Sequence, residues 1–207
     1  ITILIPRTSL EDIRKINAQL TKETGLGIEE AFYSKMVIRD VNNYLAVYDD
    51  STKEKEHIKL KGDFEVDKEF HKDPSMRIVP IAVKNYFVYN IPVKETIRNH
   101  TDIFDFCLRL KTNSKSTPLY RHLVNGKITD DKLGRTTRYY VSNSGGVFLK
   151  DFGNGRLTGV NVGYSVTEFN RYVKKDIKDY DLNYNFYIAE ANKLINAVDN
   201  GQLELFF

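Results

Sequence analysis

One cysteine, Cys107, is all the thiol this 207-residue chain has, which excludes an internal disulfide and a cysteine-built zinc site. It sits among Ile103, Phe104, Phe106 and Leu108, so it reads as a buried side chain rather than a nucleophile. No apolar run approaches the length of a membrane span. The opening Ile1-Thr2-Ile3-Leu4-Ile5-Pro6 is too short and too soon followed by charge for a secretory signal, so a cytoplasmic location is expected. The four histidines, His57, His71, His100 and His122, are too scattered for a zinc site. The glycines form neither a Walker loop nor a dinucleotide fingerprint. No Glu-x-Lys occurs, which counts against a self-contained nuclease. The adjacent acidic pairs Glu29-Glu30 and Asp49-Asp50 are poor metal ligands, because a strand sends neighbours to opposite faces.

What remains is a chain with 41% hydrophobic content, enough for a packed core. It has no initiator Met and opens in the middle of a strand-like run, as a piece of a longer polypeptide would. Its net charge of +3 conceals an uneven distribution. Residues 77–156 carry fourteen Lys or Arg against six Asp or Glu, a local charge of +8 that leaves −5 for the two flanks. A basic middle of this kind is an electrostatic footprint for a polyanion such as nucleic acid.

The patterning predicts an α+β fold. A strand over 1–6 is followed by a helix that starts near Thr8-Ser9-Leu10-Glu11 and runs to about Thr24. Two or three antiparallel strands follow at Ile28–Tyr33, Met36–Ile38 and Asn43–Tyr48, then a charged loop over 49–56 and a return strand over Ile58–Phe64. This strand-rich unit is expected to end near residue 70. Helical spacing then links Ile78, Val79, Ala82, Val83, Tyr86 and Phe87, and continues through Ile97, Ile103, Phe106, Cys107 and Leu110. Between about Thr117 and Asn170 the pattern is β again, with turns at Asn143–Gly146 and Gly153–Gly155. A last helix is expected from Asn183 to Val198, with Tyr187, Ala191, Leu194, Ile195 and Val198 on one face, before a turn at Asp199-Asn200-Gly201.

The chain closes on Gln202-Leu203-Glu204-Leu205-Phe206-Phe207. As a short hydrophobic plug after a turn, such a tail suits docking into a partner's groove, although Leu203, Leu205 and Phe207 also alternate as an edge strand would. The spacing Gln-Leu-x-Leu-Phe resembles the peptide with which bacterial and phage replication proteins hold the sliding clamp. Its carriers here are Gln202, Leu203, Leu205, Phe206 and Phe207.

A second resemblance rests on the order of several segments. Arg39-Asp40-Val41-Asn42-Asn43-Tyr44, Lys59-Leu60-Lys61-Gly62, His71-Lys72-Asp73-Pro74-Ser75 and Ile78-Val79-Pro80 with Ala82-Val83 follow one another as in the end of the palm and start of the thumb of family B DNA polymerases. Arg138–Ser142 and Asp179–Ile188 are similar to later thumb segments, whereas residues 112–135 match no part of it. The chain looks like a phage-type variant. The resemblance implies the end of a palm over 1–70, antiparallel strands with a helix, a mixed helical and β-rich thumb over 71–200, and a clamp-binding tail over 201–207. The catalytic aspartates would then lie upstream of Ile1. This chain would carry no catalytic residue and no cofactor of its own, with Mg and dNTP expected for the intact polymerase, in the host cytoplasm if phage-encoded.

The implied partners are double-stranded primer-template DNA, the clamp, and the upstream palm and fingers, with no membrane. Lys59, Lys61 and Gly62 would meet phosphates near the primer end, with Tyr44 packed beside the duplex and Arg39 nearby. Where the family usually has a basic residue just before that Tyr, this chain has Asn42 and Asn43. His71, Lys72, Ser75 and Arg77 at a helix start favour an anion, and Lys84, Lys111, Lys115, Arg135 and Arg138 extend the track. The alternative is a free-standing, non-enzymatic replication accessory protein that binds DNA and the clamp.

Overall fold

The computed structural model describes residues 10–49, 57–66, 76–160, 163–169, 174 and 176–204, and of 199–204 the backbone alone. Among the described residues it is an α+β protein of four helices and antiparallel sheets. Helix α1 (Leu10–Thr24) places Glu11 and Asp12 in its first turn, where the helix dipole favours negative charge. It ends at Gly25, whose φ of +70° suits glycine. None of its residues is buried.

Strands β1 (Tyr33–Asp40), β2 (Asn43–Tyr48) and β3 (Ile58–Lys61) form one antiparallel sheet in that order. The two strands expected over 28–38 are thus a single strand, and Ile28–Phe32 precede it without regular structure. A 3-10 turn at Gly62–Phe64 replaces the end of the expected return strand and buries Phe64.

Helix α2 (Ile78–Tyr89) stops at Asn90, which adopts φ 54°, and α3 (Val93–Asn99) starts after Pro92. Helical spacing over Ile103–Leu110 proves misleading. The Asp102 carboxylate accepts the Phe104 N–H at 2.9 Å and opens a 3-10 turn, Ile103–Phe106, after which β4 (Leu108–Lys111) begins. Phe106, Cys107 and Leu110 are buried all the same, because a tight turn and a strand can send that spacing inward as a helix can. Burial pushes the Cys107 thiol up to about 12, as befits a packed side chain.

The β-rich stretch holds β5 (Thr117–Val124), β6 (Lys127–Lys132), β7 (Thr136–Ser142), β8 (Val147–Asp151), β9 (Leu157–Gly159) and β10 (Ser165–Glu168). They make two antiparallel sheets, β10-β7-β4 and β6-β5-β8-β9. The β5–β6 hairpin turns on Asn125-Gly126, both with positive φ. The Tyr120 hydroxyl joins the two sheets by donating to the Val166 carbonyl at 3.1 Å.

Helix α4 (Tyr184–Glu204) runs through the turn expected at Asp199–Gly201 and takes in the backbone of Gln202, Leu203 and Glu204, so neither a turn nor an edge strand begins there. Leu205, Phe206 and Phe207 lie outside the described residues, as do His71, Lys72 and Ser75. Among the described residues no helix is long and apolar enough to cross a membrane.

One core runs across the boundary expected near residue 70. Val37, Leu45 and Phe64 belong to the same buried cluster as Ile78, Ala82 and Val83 of α2 and Tyr187, Ala191, Ile195 and Val198 of α4. On the other side the cluster continues into Tyr139, Tyr140, Phe148 and Val166. At its centre the fully buried Tyr187 accepts a hydrogen bond from the Val141 N–H and donates one to the Phe106 carbonyl, both at 2.9 Å. Burial drives its phenol well above the ordinary tyrosine value, so it stays protonated and can do both.

Replacing Tyr187 with Phe keeps the ring and removes both bonds, leaving a buried N–H and carbonyl without their partner. Y187F is expected to lower unfolding stability by roughly 2 kcal/mol or more, read as a fall in the denaturant midpoint at unchanged slope.

Candidate functional site

The β1-β2-β3 register decides which side chains share a face. Ile38, Tyr44 and Lys61 are cross-strand partners, as are Met36, Ala46 and Lys59. Val37, Leu45 and Leu60, one residue along on each strand, take the opposite face and join the core. The first face therefore carries Tyr44, Lys59 and Lys61 together on paired backbone.

Lys61 is exposed and Lys59 half-buried. Desolvation works against the Lys59 ammonium, but the hydroxyls of Tyr33 and Tyr44, which take its hydrogen bonds, carry it above the ordinary lysine value. Tyr33, whose ring lies 4.9 Å from that of Tyr48, was not anticipated. Its place in an apolar run hid a polar role that only its closeness to Lys59 exposes.

Gly62 has a different neighbour from the phosphate expected there. Its φ is +64°, and a Cβ on it would lie 2.2 Å from Asn43 Oδ1 and 2.5 Å from the Asn42 carbonyl oxygen. The missing side chain lets the β1–β2 turn close against the end of β3. Asn43 Oδ1 accepts the Asp63 N–H at 2.9 Å while its amide donates to Asp40 at 2.7 Å. The asparagine that stands where the family has a basic residue is therefore a clasp between the two turns.

Arg39 is held by the carboxylates of Asp40 and Asp63, and its own pKa is raised first by the Asp40 hydrogen bond. It lines a groove of about 310 Å³ with Asp63, Glu65, Met76, Val79, Glu190 and Lys193. Arg77 is engaged too. Its Nη1 lies 3.2 Å from the buried Asp105, whose other oxygen meets His100 at 2.6 Å, and its Nε donates to the Val66 carbonyl at 3.1 Å. The expected anion grip of Arg77 is turned inward, tying the segment before α2 to the Ile103–Phe106 turn.

Lys84 is half-exposed on α2, and Arg135 is exposed just before β7. Arg138, on β7, lies directly opposite Arg109 of β4, a residue that no sequence motif singles out. Desolvation lowers the Arg138 pKa, and Arg109 adds to that. The structure thus gathers Tyr44, Lys59 and Lys61 on one face, places Arg109 and Arg138 on another sheet, and commits Arg39 and Arg77 to carboxylates. Compared with known proteins, the chain matches no family model, no curated protein and no solved structure.

Changing Gly62 to Ala forces a side chain into the Asn43 position and strains a left-handed backbone. G62A is expected to cost roughly 1–3 kcal/mol, measured by thermal or denaturant unfolding.

Proposed function

We propose that the chain is the C-terminal part of a family B, phage-like DNA-directed DNA polymerase, comprising the end of the palm and the thumb. It grips primer-template duplex DNA through the phosphates and tethers to a sliding clamp through its last residues. The observation that carries this reading is the strand register that sets Lys59 and Lys61 on one face of the first sheet beside Tyr44, with Lys61 exposed and Lys59 half-buried. Two cations two residues apart on a strand lie roughly 6.6 Å from each other, in line along one direction, which suits a phosphate backbone and ignores base identity. The segment order set out above supplies the class of enzyme.

Nucleotidyl transfer by this class uses metal-bound aspartates, which the resemblance puts upstream of Ile1. Asp40 and Asp63 engage Arg39, Asp105 engages Arg77 and His100, and Glu30 lies 3.6 Å from Arg14, so these four carboxylates are already committed within the chain. What this chain contributes is position and charge for the duplex leaving the site. At the tail, Gly201 inside the last turns of α4 lowers helix propensity by about 1 kcal/mol relative to alanine. That favours release of the backbone of Gln202–Glu204 from the helix, which a tail docking into a partner's groove would need.

The double substitution K59Q/K61Q is expected to weaken primer-template binding about tenfold at low salt, equally for all sequences. The slope of log affinity against log salt should fall by about 2. Fluorescence anisotropy on duplexes of differing sequence reads both, and sequence-selective loss would contradict a phosphate grip. Deleting residues 202–207 should abolish clamp binding in surface plasmon resonance while primer-template affinity stays within about twofold. Loss of both activities would show that the tail is not a separate site.

A further inference from the structure

The loop between β4 and β5 crosses the end of β8 and leaves a second pocket, of about 370 Å³, lined by Lys111, Thr112, Asn113, Ser116, Lys150 and Phe152. Its lining holds two ammonium groups, two hydroxyls, one amide, an aromatic ring and no carboxylate among the described residues. The neighbouring carboxylate of Asp151 accepts the Gly153 N–H at 2.8 Å.

The pocket is built on fixed backbone. Thr112 is buried, and its N–H donates to the Arg135 carbonyl at 2.9 Å. Asn113 Oδ1 accepts the Lys115 N–H at 3.1 Å and shapes the loop. Lys150 is fixed opposite Pro118 by the β5–β8 ladder. Phe152 is 40% exposed, while the Arg156 guanidinium lies 5.5 Å from its ring centroid. That stack orients the ring and leaves part of it open to a ligand.

The electrostatic surroundings point the same way. Strand alternation puts Lys111 on the same face of β4 as Arg109, and Arg109 lies opposite Arg138. The two lysines that line the pocket supply positive charge of the kind that draws in phosphate.

We infer that this pocket takes one nucleoside phosphate unit, with the phosphate between Lys111 and Lys150 and the base against Phe152. Its volume lies at the small end of ligand sites and suits a single nucleotide. A duplex keeps its bases stacked and paired, so the unit comes from a single strand or from free nucleotide, and a basic groove with an aromatic platform is the usual means of holding an unstacked base. The inference rests on the nucleic-acid reading above but uses residues outside that sheet face.

The test is fluorescence anisotropy of the whole chain with labelled oligothymidine, with thymidine monophosphate and inorganic phosphate as competitors and labelled primer-template duplex in parallel. K111Q/K150Q should lose roughly tenfold in single-strand affinity, and its salt slope should fall by about 1.4. F152A should lose about tenfold with the slope unchanged, since stacking carries no counterions. Both variants should bind duplex as the parent does and keep its melting temperature, because the substituted side chains lie at the surface. Competition by thymidine monophosphate well above that by phosphate would support the nucleotide unit and show that free nucleotide suffices; competition by neither would support it as part of a strand, provided F152A shows its loss. Single-strand binding unchanged in both variants, or F152A unchanged while phosphate competes as well as the nucleotide, would overturn the inference. Duplex binding that survives K59Q/K61Q while the pocket variants lose the single strand would sink the sheet-face reading and leave the pocket standing.

Discussion

The Tyr187 hydroxyl is the contact on which the rest of the structure hangs. It accepts from β7 at Val141 and donates to the turn before β4 at Phe106, so a single side chain of α4 fixes the helix against one strand of the β10-β7-β4 sheet and the turn that leads into its neighbour. The same helix, one and two turns on, packs Ala191 and Ile195 into the cluster that holds Val37 and Leu45. The basic sheet face at β2 and β3 and the lysine pocket at β4 and β8 are thereby parts of one framework. A buried phenol is costly unless both its roles are filled, which makes this position specific in a way that a leucine could not be.

A second constraint concerns what happens to positive charge. Many of the basic residues that a sequence count assigns to a partner are used within the chain. Arg39 meets Asp40 and Asp63, Arg77 meets Asp105, and Arg121 forks onto Asp130 with both contacts at 2.7 Å. Lys59 is the exception of interest, because tyrosines rather than carboxylates hold it. A phenol orients an ammonium and leaves its charge uncancelled, and an uncancelled, oriented cation on a rigid strand is what an anionic partner can use.

Much of the fold was legible in the sequence because the helical spacing over α2 and α4 and the run of strand-forming residues in β2 leave few alternatives. The failures were local and physical. Ile103, Phe106, Cys107 and Leu110 carry helical spacing, but Asp102 captures the Phe104 N–H and diverts the chain into a 3-10 turn and strand. Gly201 signalled a turn, yet α4 continues through it. Asn125-Gly126 went unremarked as a hairpin turn, although the dipeptide is the strongest short-range signal for one. For the candidate site, the pairing of Tyr44 with Lys61 follows from strand order, whereas the clasp of Asn43 on Gly62 and the grip of Tyr33 on Lys59 depend on contacts between distant segments. No periodicity encodes those.

The proposed duplex grip sets the Lys59 and Lys61 side of the first sheet against DNA. Lysine acylation read by mass spectrometry, with and without saturating primer-template duplex, addresses it most directly. The account predicts strong protection of Lys59 and Lys61 and little change at Lys15 and Lys22 of α1. Equal labelling of Lys59 and Lys61 in the two states, with the duplex demonstrably bound, would contradict it.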